Sequence, residues 1–473
     1  MSGNNIAKDY SKYAEAETVR IQTRTREEIK NDPWLLSKLL YPKYTFKEFH
    51  KEWFYNNLSK EEDLCLGPRN FAKTTVRGIV GTIWDMIRNP NANLGIVSDT
   101  NPQAIHFASE IKMHCERNKD LLSLYPYLSP GKIWTEKEFT ISGATEIQKG
   151  ATVTAFGYGQ GTGYEFDKIR VDDIVDWQNS RTKYQREKLY DWIGMSLIPM
   201  LKSGGEISWN GTRYHQDDLY DTLLSNGIKT NTTSHKAIQD NGQSMWPELW
   251  PIEKLIEIRK KIGTLRFDAQ YQNDTKLMRA GKIYKREHFQ YFRRTETGDY
   301  ITSTGRRFNI TDLQIFQTCD LATSQKTTAD YFAILTFGID QEGNFYIFDV
   351  YRARLSYSEQ EAFLINNFLR WKALRIGIES TQYQVMLQQQ VDKRTNIFAR
   401  AIYPHTDKVT RSIPMQTKYE NFKVFHYEGI LILTEFEDEL TMFNEGEHDD
   451  MVDCVSMMPD ITIAQKTKIY VNR

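Results

Sequence analysis

An α/β fold in two successive parts is predicted by three features of the sequence. Short apolar strands alternate with helical stretches from about residue 62 to 240. A turn-rich, basic stretch then interrupts the alternation. A second pattern, three strands in a row followed by alternating helices and strands, begins near residue 312. A chain of 473 residues is too long for one ordinary core, which agrees with two domains. The expected boundaries are 1–245 for the first domain with an N-terminal helical lid, 246–310 for a linker region, and 311–473 for the second domain.

Residues 1 to about 60 read as helical and charged, with an aromatic cluster at Phe46, Phe49, Trp53 and Phe54. Strands are then expected at 64–66, 94–97, 151–156, 169–171 and 206–210, with helices at 73–88, 101–117 and 182–200. Such alternation predicts a mostly parallel sheet. The linker opens on a turn-like run with two prolines, Pro247 and Pro251. Between residues 276 and 307 it carries nine Lys/Arg against three Asp/Glu, interleaved with Tyr284, Phe289, Tyr291 and Phe292. That stretch reads either as part of a DNA path or as a solvated connection. In the second domain, strands at 313–319, 331–337 and 345–350 come first, the last two joined by a tight turn at 340–344. A helix at 357–371, a strand at 374–378, a helix, a strand at 398–402 and further helices follow. The order βββαβα with a trailing helix is that of the ribonuclease H-like architecture.

Composition narrows the classes. Hydrophobic content of 40% and charged content of 26% fit a soluble globular chain. A net charge of -1 means that any polyanion must be met by local patches. The four cysteines are scattered, with no CxxC pair, so neither a disulfide framework nor a zinc site is expected and a reducing compartment fits. No apolar run reaches the roughly 18 residues of a membrane span, and the polar N-terminus lacks a signal peptide's apolar stretch.

Gly67-Pro68-Arg69-Asn70-Phe71-Ala72-Lys73-Thr74-Thr75 follows a strand and opens a helix, the context a Walker A loop requires. There, backbone N–H groups and the helix dipole face phosphate oxygens. Lys73 would reach the β/γ-phosphates of ATP, the Thr74 hydroxyl would hold Mg²⁺, and Arg69 could add a contact to the γ-phosphate. A basic helix start is the plainer alternative. About 100 residues on, a strand ends in Asp172 and Asp173, as a Walker B strand should. Asp172 would hold the Mg²⁺ shell and Asp173 would orient or deprotonate the attacking water. Downstream, Asn210-Gly211-Thr212-Arg213 at a strand end either senses the γ-phosphate or is a polar strand end. Aromatic or polar groups near His50 and Trp53 are candidates for holding adenine.

The second half carries acids where a two-metal nuclease needs them. Asp320 ends the first strand and Glu379 the fourth, while Asp449 and Asp450 open the last helix. On that helix Asp449 and Asp450 share a face with Asp453. Each acid alone reads as a solvated surface residue; their joint placement suits two Mg²⁺ or Mn²⁺ ions, which prefer hard oxygen ligands. Asp330 is an outer candidate, and His448 reads as a helix cap.

The segments GPRNFAKTT, KIRVDDIVD, WNGTRYHQDDLY, TLRFDAQYQND, TCDLATSQKTTADYFAI, RIGIES and HDDMVDC occur in order between about 60 and 455. Together they resemble the large subunits of tailed-phage terminases. The resemblance implies an additional-strand P-loop ATPase followed by a ribonuclease H-like nuclease. It implies ATP-driven packaging of double-stranded viral DNA and two-metal cutting of concatemers. It also implies a portal partner, a small terminase subunit, and a five-membered ring in the host cytoplasm, transiently on the procapsid. Nucleotide contacts fall to Gly67, Arg69, Lys73, Thr74, Thr75 and Asp172, catalysis of hydrolysis to Asp173, and coupling to Gly211, Thr212 and Arg213. Asp320, Glu379 and Asp450 become the metal triad, with Asp449 beside them. Two departures stand out. Ala72 replaces a usual glycine. The glycine-rich stretch 157–163 lacks an arginine, which leaves the position of a finger acting across subunits open, with Arg213 a candidate. Two rival readings remain, a helicase-like ATPase-nuclease of repair or recombination and a non-cleaving, ATP-gated DNA-binding module.

Overall fold

The computed structural model describes residues 25–55, 61–145, 150–160, 163–226, 231–279, 283–321, 331–379, 399–403, 406–443 and 448–462. Asp330, the helix expected after residue 379, residues 161–162 of the glycine-rich stretch and residues 280–282 of the basic stretch lie outside them. The chain divides into two compact units, Met1–Ile252 with Ala269–Asp274, and Glu253–Asp268 with Thr275–Arg473.

The first unit is built on β1 (Glu62–Leu66), β2 (Leu94–Ser98), β3 (Pro130–Trp134), β4 (Glu138–Ile141), β5 (Val153–Gly157), β6 (Phe166–Asp172), β7 (Leu201–Gly211) and β8 (Thr232–Ser234). They form one sheet in the order β3-β4-β5-β2-β6-β7-β1-β8. All its neighbours run parallel except β3–β4 and β4–β5. β2 and β5 are buried along their whole length. That is what strands covered on both faces require, and it is why their sequences are nearly unbroken apolar runs. Leu64, Val97, Phe156, Val171, Trp209 and Tyr220 lie in one core cluster. Because β7 lies between β1 and β6, one strand separates the loop-bearing strand from the acid-bearing strand. This is the additional-strand arrangement.

Two features of this unit were less legible. The β3–β4 hairpin was not anticipated; its alternation is confined to four residues of β4, where Phe139 and Ile141 are buried. β7 begins at Leu201 rather than near 206, because Lys202-Ser203-Gly204-Gly205 reads as a loop.

The second unit is built on β9 (Gln290–Arg294), β10 (Tyr300–Thr302), β11 (Arg307–Phe308), β12 (Gln314–Asp320), β13 (Phe332–Ile339), β14 (Phe345–Ala353), β15 (Arg375–Glu379), β16 (Ala399–Ile402) and β17 (Val424–Tyr427). The sheet order is β11-β10-β9-β17-β14-β13-β12-β15-β16. β12, β13 and β14 form an antiparallel meander, and β15 joins β12 in parallel. Helix Tyr357–Trp371, which makes the crossover, starts on a capping box between Ser356 and Glu359 and stops at Lys372, whose φ is 49°. Helix Asp450–Thr462 packs on β12, β13 and β15 through buried residues including Met451, Val455 and Met458.

Residues 246–310, read from the sequence as a linker, carry helices Ile252–Ile262, Thr264–Gln272 and Lys276–Arg279 and then β9 to β11 of the second sheet. In β9 only Phe292 is fully buried, while Arg293 and Arg294 are exposed; in β11 Phe308 is buried beside exposed Arg307. One apolar anchor per short strand leaves the sequence looking basic and unstructured. Among the described residues no helix is long and apolar enough to cross a membrane.

Candidate nucleotide and metal centres

In the first unit the loop 67–73 leaves the carboxyl end of β1 and enters a π-helical turn, Thr74–Val80, that continues as helix Gly81–Arg88. π-turns concentrate at functional sites. Gly67 is required by close approach: a Cβ there would lie 2.7 Å from Lys73 Cδ and 3.0 Å from Trp53 Cζ2. Asn70 and Ala72 both take left-handed backbone, with φ of 63° and 65°. Ala72 therefore occupies a conformation suited to glycine, at a cost of about 1 kcal/mol. Ala72→Gly is expected to raise stability by up to about 1 kcal/mol, read as a higher urea midpoint with an unchanged slope.

Lys73 is buried, and its ammonium donates to Gly67 O at 3.0 Å, Pro68 O at 3.1 Å and Thr212 Oγ1 at 2.9 Å. Thr74 Oγ1 donates to Asp172 Oδ2 at 2.7 Å, so the loop hydroxyl and the first strand-end acid already meet. Burial, and next the neighbouring Asp173, push the Asp172 carboxyl up to about 7. Asp173 has φ of 43°, and its N–H donates to Asn210 O at 3.0 Å. Asp172 Oδ1 and Asp173 Oδ1 are buried without a hydrogen-bond partner among the described residues. Orphaned carboxylate oxygens beside a hydroxyl fit a hydrated Mg²⁺. Thr75 lies half-buried in the same turn. Arg69 is tied to Tyr214 OH at 3.3 Å and Gln270 Oε1 at 3.1 Å.

Gly211 and Thr212 end β7 beside this loop, and Gly67 N donates to Gly211 O at 3.2 Å. A Cβ at Gly211 would lie 2.0 Å from Tyr220 Cζ, a ring fully buried in the core. Gly211→Ala is expected to cost about 2 kcal/mol or more through overpacking, read as a lower thermal midpoint.

Packing corrects two expectations. Arg213 is buried, paired to Asp218 at 2.8 Å, and donates to the carbonyls of His215 and Gln216, so its guanidinium is occupied within its own loop. His50 and Trp53 do not line an open adenine slot. Both are buried in an aromatic layer with Phe49, Phe71 and Trp246, and Trp53 Nε1 donates to His235 Nδ1. The core has claimed those rings. Arg77 was missed in the sequence. It is buried, pairs with Asp63, and donates to Asn210 Oδ1 at 2.6 Å and Ser208 Oγ at 2.7 Å, fastening the loop's helix to β1 and β7. Its position four residues after Lys73, inside an apolar run, was the available signal.

In the second unit, Asp320 closes β12, Glu379 closes the parallel β15, and helix Asp450–Thr462 lies across both. Ligand oxygens of Asp320, Glu379 and Asp453 all lie within 4.8 Å of one another. The geometric group thus includes Asp453, which the sequence had only placed on the shared helix face, and not Asp450. The helical repeat explains the difference, since residue 453 is nearly one turn further along the face packed on the sheet. Asp450 is buried and close enough to add to the rise in Asp320. Asp449 is half-exposed and paired to Lys408. Burial, and then Glu379, Asp453 and Asp450, push the Asp320 carboxyl well above the usual carboxylate range. Burial pushes Asp453 up to about 6 even though Arg411 and Lys408 pull it down.

Those two cations were invisible as site residues in the sequence. Arg411 reaches Glu379 Oε1 at 2.9 Å and also pairs with Asp453; Lys408 reaches Asp453 Oδ2 at 3.0 Å. Both open helix Lys408–Glu420. Glu379 Oε2 is buried without a partner among the described residues. Clustered, buried and incompletely satisfied carboxylates fit divalent cations.

The chain thus joins a mostly parallel sheet, with a glycine-led loop after β1, to a ribonuclease H-like sheet with clustered acids. Residues 317–458 match the family model described as "Terminase RNaseH-like domain". Along most of its length the chain resembles the large terminase of a thermophilic bacteriophage, with a TM-score of 0.51 and 11% identity, covering 89% of this chain and 100% of that one. The bacteriophage HK97 large terminase gives a TM-score of 0.35 at 12% identity over 81% of this chain and 86% of that one. The large terminase nuclease from thermophilic phage G20c gives 0.28 at 15% identity over 37% and 96%. No curated protein matches the sequence. The family model thus covers residues 317–458 of the second unit, and the likeness to the thermophilic-phage large terminase shows the fold along most of the chain.

Proposed function

We propose that this chain hydrolyses ATP to drive double-stranded viral DNA into a procapsid and cuts the concatemer by two-metal chemistry. The observation that carries the reading is one chain with two centres: Lys73 bonded to Thr212 and Thr74 bonded to Asp172 at the loop after β1, and Asp320, Glu379 and Asp453 gathered within 4.8 Å. Lys73 would bind the β/γ-phosphates, Thr74 and Asp172 would hold Mg²⁺, and Asp173 would orient or deprotonate the attacking water. Gly67, Thr75 and Arg69 complete the loop's contacts to phosphate. Thr212, bonded to Lys73, passes the state of the loop to β7.

Asp320, Glu379 and Asp453, with Asp450 beside them, would hold two divalent ions. When bound, the pair would stabilise the attacking and leaving oxygens of a phosphodiester. Arg411, paired with both, holds Glu379 and Asp453 in place. The expected setting is the host cytoplasm, with a portal, a small terminase subunit and a ring of copies as transient partners.

The test is plasmid cleavage with Mg²⁺ and with Mn²⁺ beside phosphate release from ATP, on one preparation. Cleavage plus DNA-stimulated hydrolysis, without strand displacement, supports the reading. ATP-dependent unwinding of a duplex would point to a helicase-like enzyme. Absence of cleavage with either metal would leave an ATP-gated DNA-binding module.

A further inference from the structure

A cluster of half-buried and buried acids repels a DNA backbone, so a strand entering it needs cations that the acids have not taken. Arg411 and Lys408 are engaged with Glu379, Asp449 and Asp453. On the other side of Asp320 the sheet supplies two more. The register runs Asp320 to Ala333 across β12 and β13, and Ala333 to Arg352 across β13 and β14. Directly opposed residues share a face, so Arg352 stands on the face of Asp320, about 10 Å away at ordinary strand spacing. Just beyond the paired ends of these two strands, Phe332 and Ala353, lie Tyr331 and Arg354.

Both guanidiniums are stacked on the Tyr331 ring, Arg354 at 4.5 Å and Arg352 at 4.9 Å from its centroid. His448 braces the ring edge-on, with centroids 4.9 Å apart and planes at 88°. Arg352 is neutralised by Glu439, at 2.7 Å, while Arg354 has no ion pair among the described residues and is exposed. Two like charges on one ring repel each other, and only one has a counter-ion. Contact with the ring restrains the exposed Arg354 head, which has no acidic partner among the described residues, and a guanidinium fork suits a phosphate.

We propose that Arg354, laid on Tyr331, is a phosphate fork that seats the DNA backbone beside the acidic centre. The inference rests on reading that centre as the nuclease, and it names that centre's contact with substrate. Arg354 grips phosphate only, so it contributes affinity without sequence preference.

The full chain is titrated with a duplex oligonucleotide in EDTA, where the DNA stays intact, across a series of salt concentrations. Arg354→Ala is expected to weaken binding about fivefold and to lower the slope of log K against log salt by about one. In plasmid cleavage it should raise KM and leave kcat near wild type. Arg354→Lys should recover the slope but only part of the affinity. Tyr331→Leu, which keeps the charge but removes the platform, should weaken binding with the slope unchanged. An Arg354→Ala protein with wild-type slope and KM overturns the proposal, as does a loss confined to kcat. A wild-type chain that binds DNA but never cleaves it overturns the nuclease reading instead, whatever Arg354 does.

Discussion

Asp320→Ala is expected to abolish metal-dependent DNA cleavage, by about 10³-fold or more, while ATP hydrolysis continues. Glu379 and Asp453 each have Arg411 as a counter-charge, but no ion pair holds Asp320 among the described residues. Its charge is therefore the one most available to a divalent ion. The loss should come without unfolding. Burial and Glu379 raise the Asp320 carboxyl well above its ordinary range, so the folded state favours the protonated acid. That preference costs stability as pH rises above the unfolded value, and alanine removes it. A thermal scan in EDTA at neutral pH should show Asp320→Ala no less stable than wild type. Nicking at wild-type rates by this variant would end the nuclease assignment. Asp450→Ala set beside Asp453→Ala then decides which helix acid the reaction uses. Only the second leaves Arg411 and Lys408 without their shared partner, so its loss of activity should be accompanied by a lower midpoint.

Lys73→Ala is expected to do the reverse, reducing phosphate release from ATP by about 10³-fold while cleavage of plasmid persists. The ammonium is buried and placed where the helix N-terminus already favours anions, and no second lysine shares that loop. Alanine removes charge, reach and the bond to Thr212 together. A malachite-green or coupled assay reads the ATPase, and agarose gels read the cleavage. Loss of both activities at once would mean that the two centres are not independent.

Both sheets were legible because their central strands are long apolar runs bounded by turn residues, as in β2, β5, β13 and β14. The places of the loop after β1 and of the acids ending β6, β12 and β15 were legible because each follows a short apolar strand. What stayed hidden depends on packing across the chain. Arg77 meets Asp63 and Asn210 only when β1 and β7 pair, and Lys408 meets Asp453 only when two helices pack. The burial of Trp53 and His50 stayed hidden because sequence alone cannot tell a wall of the core from a wall of a cleft. The choice between Asp450 and Asp453 needed a helix rotation that no spacing rule supplies. Arg213 carried the right charge in the right neighbourhood, yet Asp218, five residues on, had already captured it.

The three bonds of Lys73 have a further consequence. An ammonium has three protons, and here each is already given to the chain: two to loop carbonyls and one to a hydroxyl far along the sequence. Any arriving anion must therefore take a proton that is in use. Surrender of the Thr212 bond would cut loose the tip of β7 at the instant of capture. Occupancy and slack in a distant strand would then be two readings of a single event, with no moving lever between them.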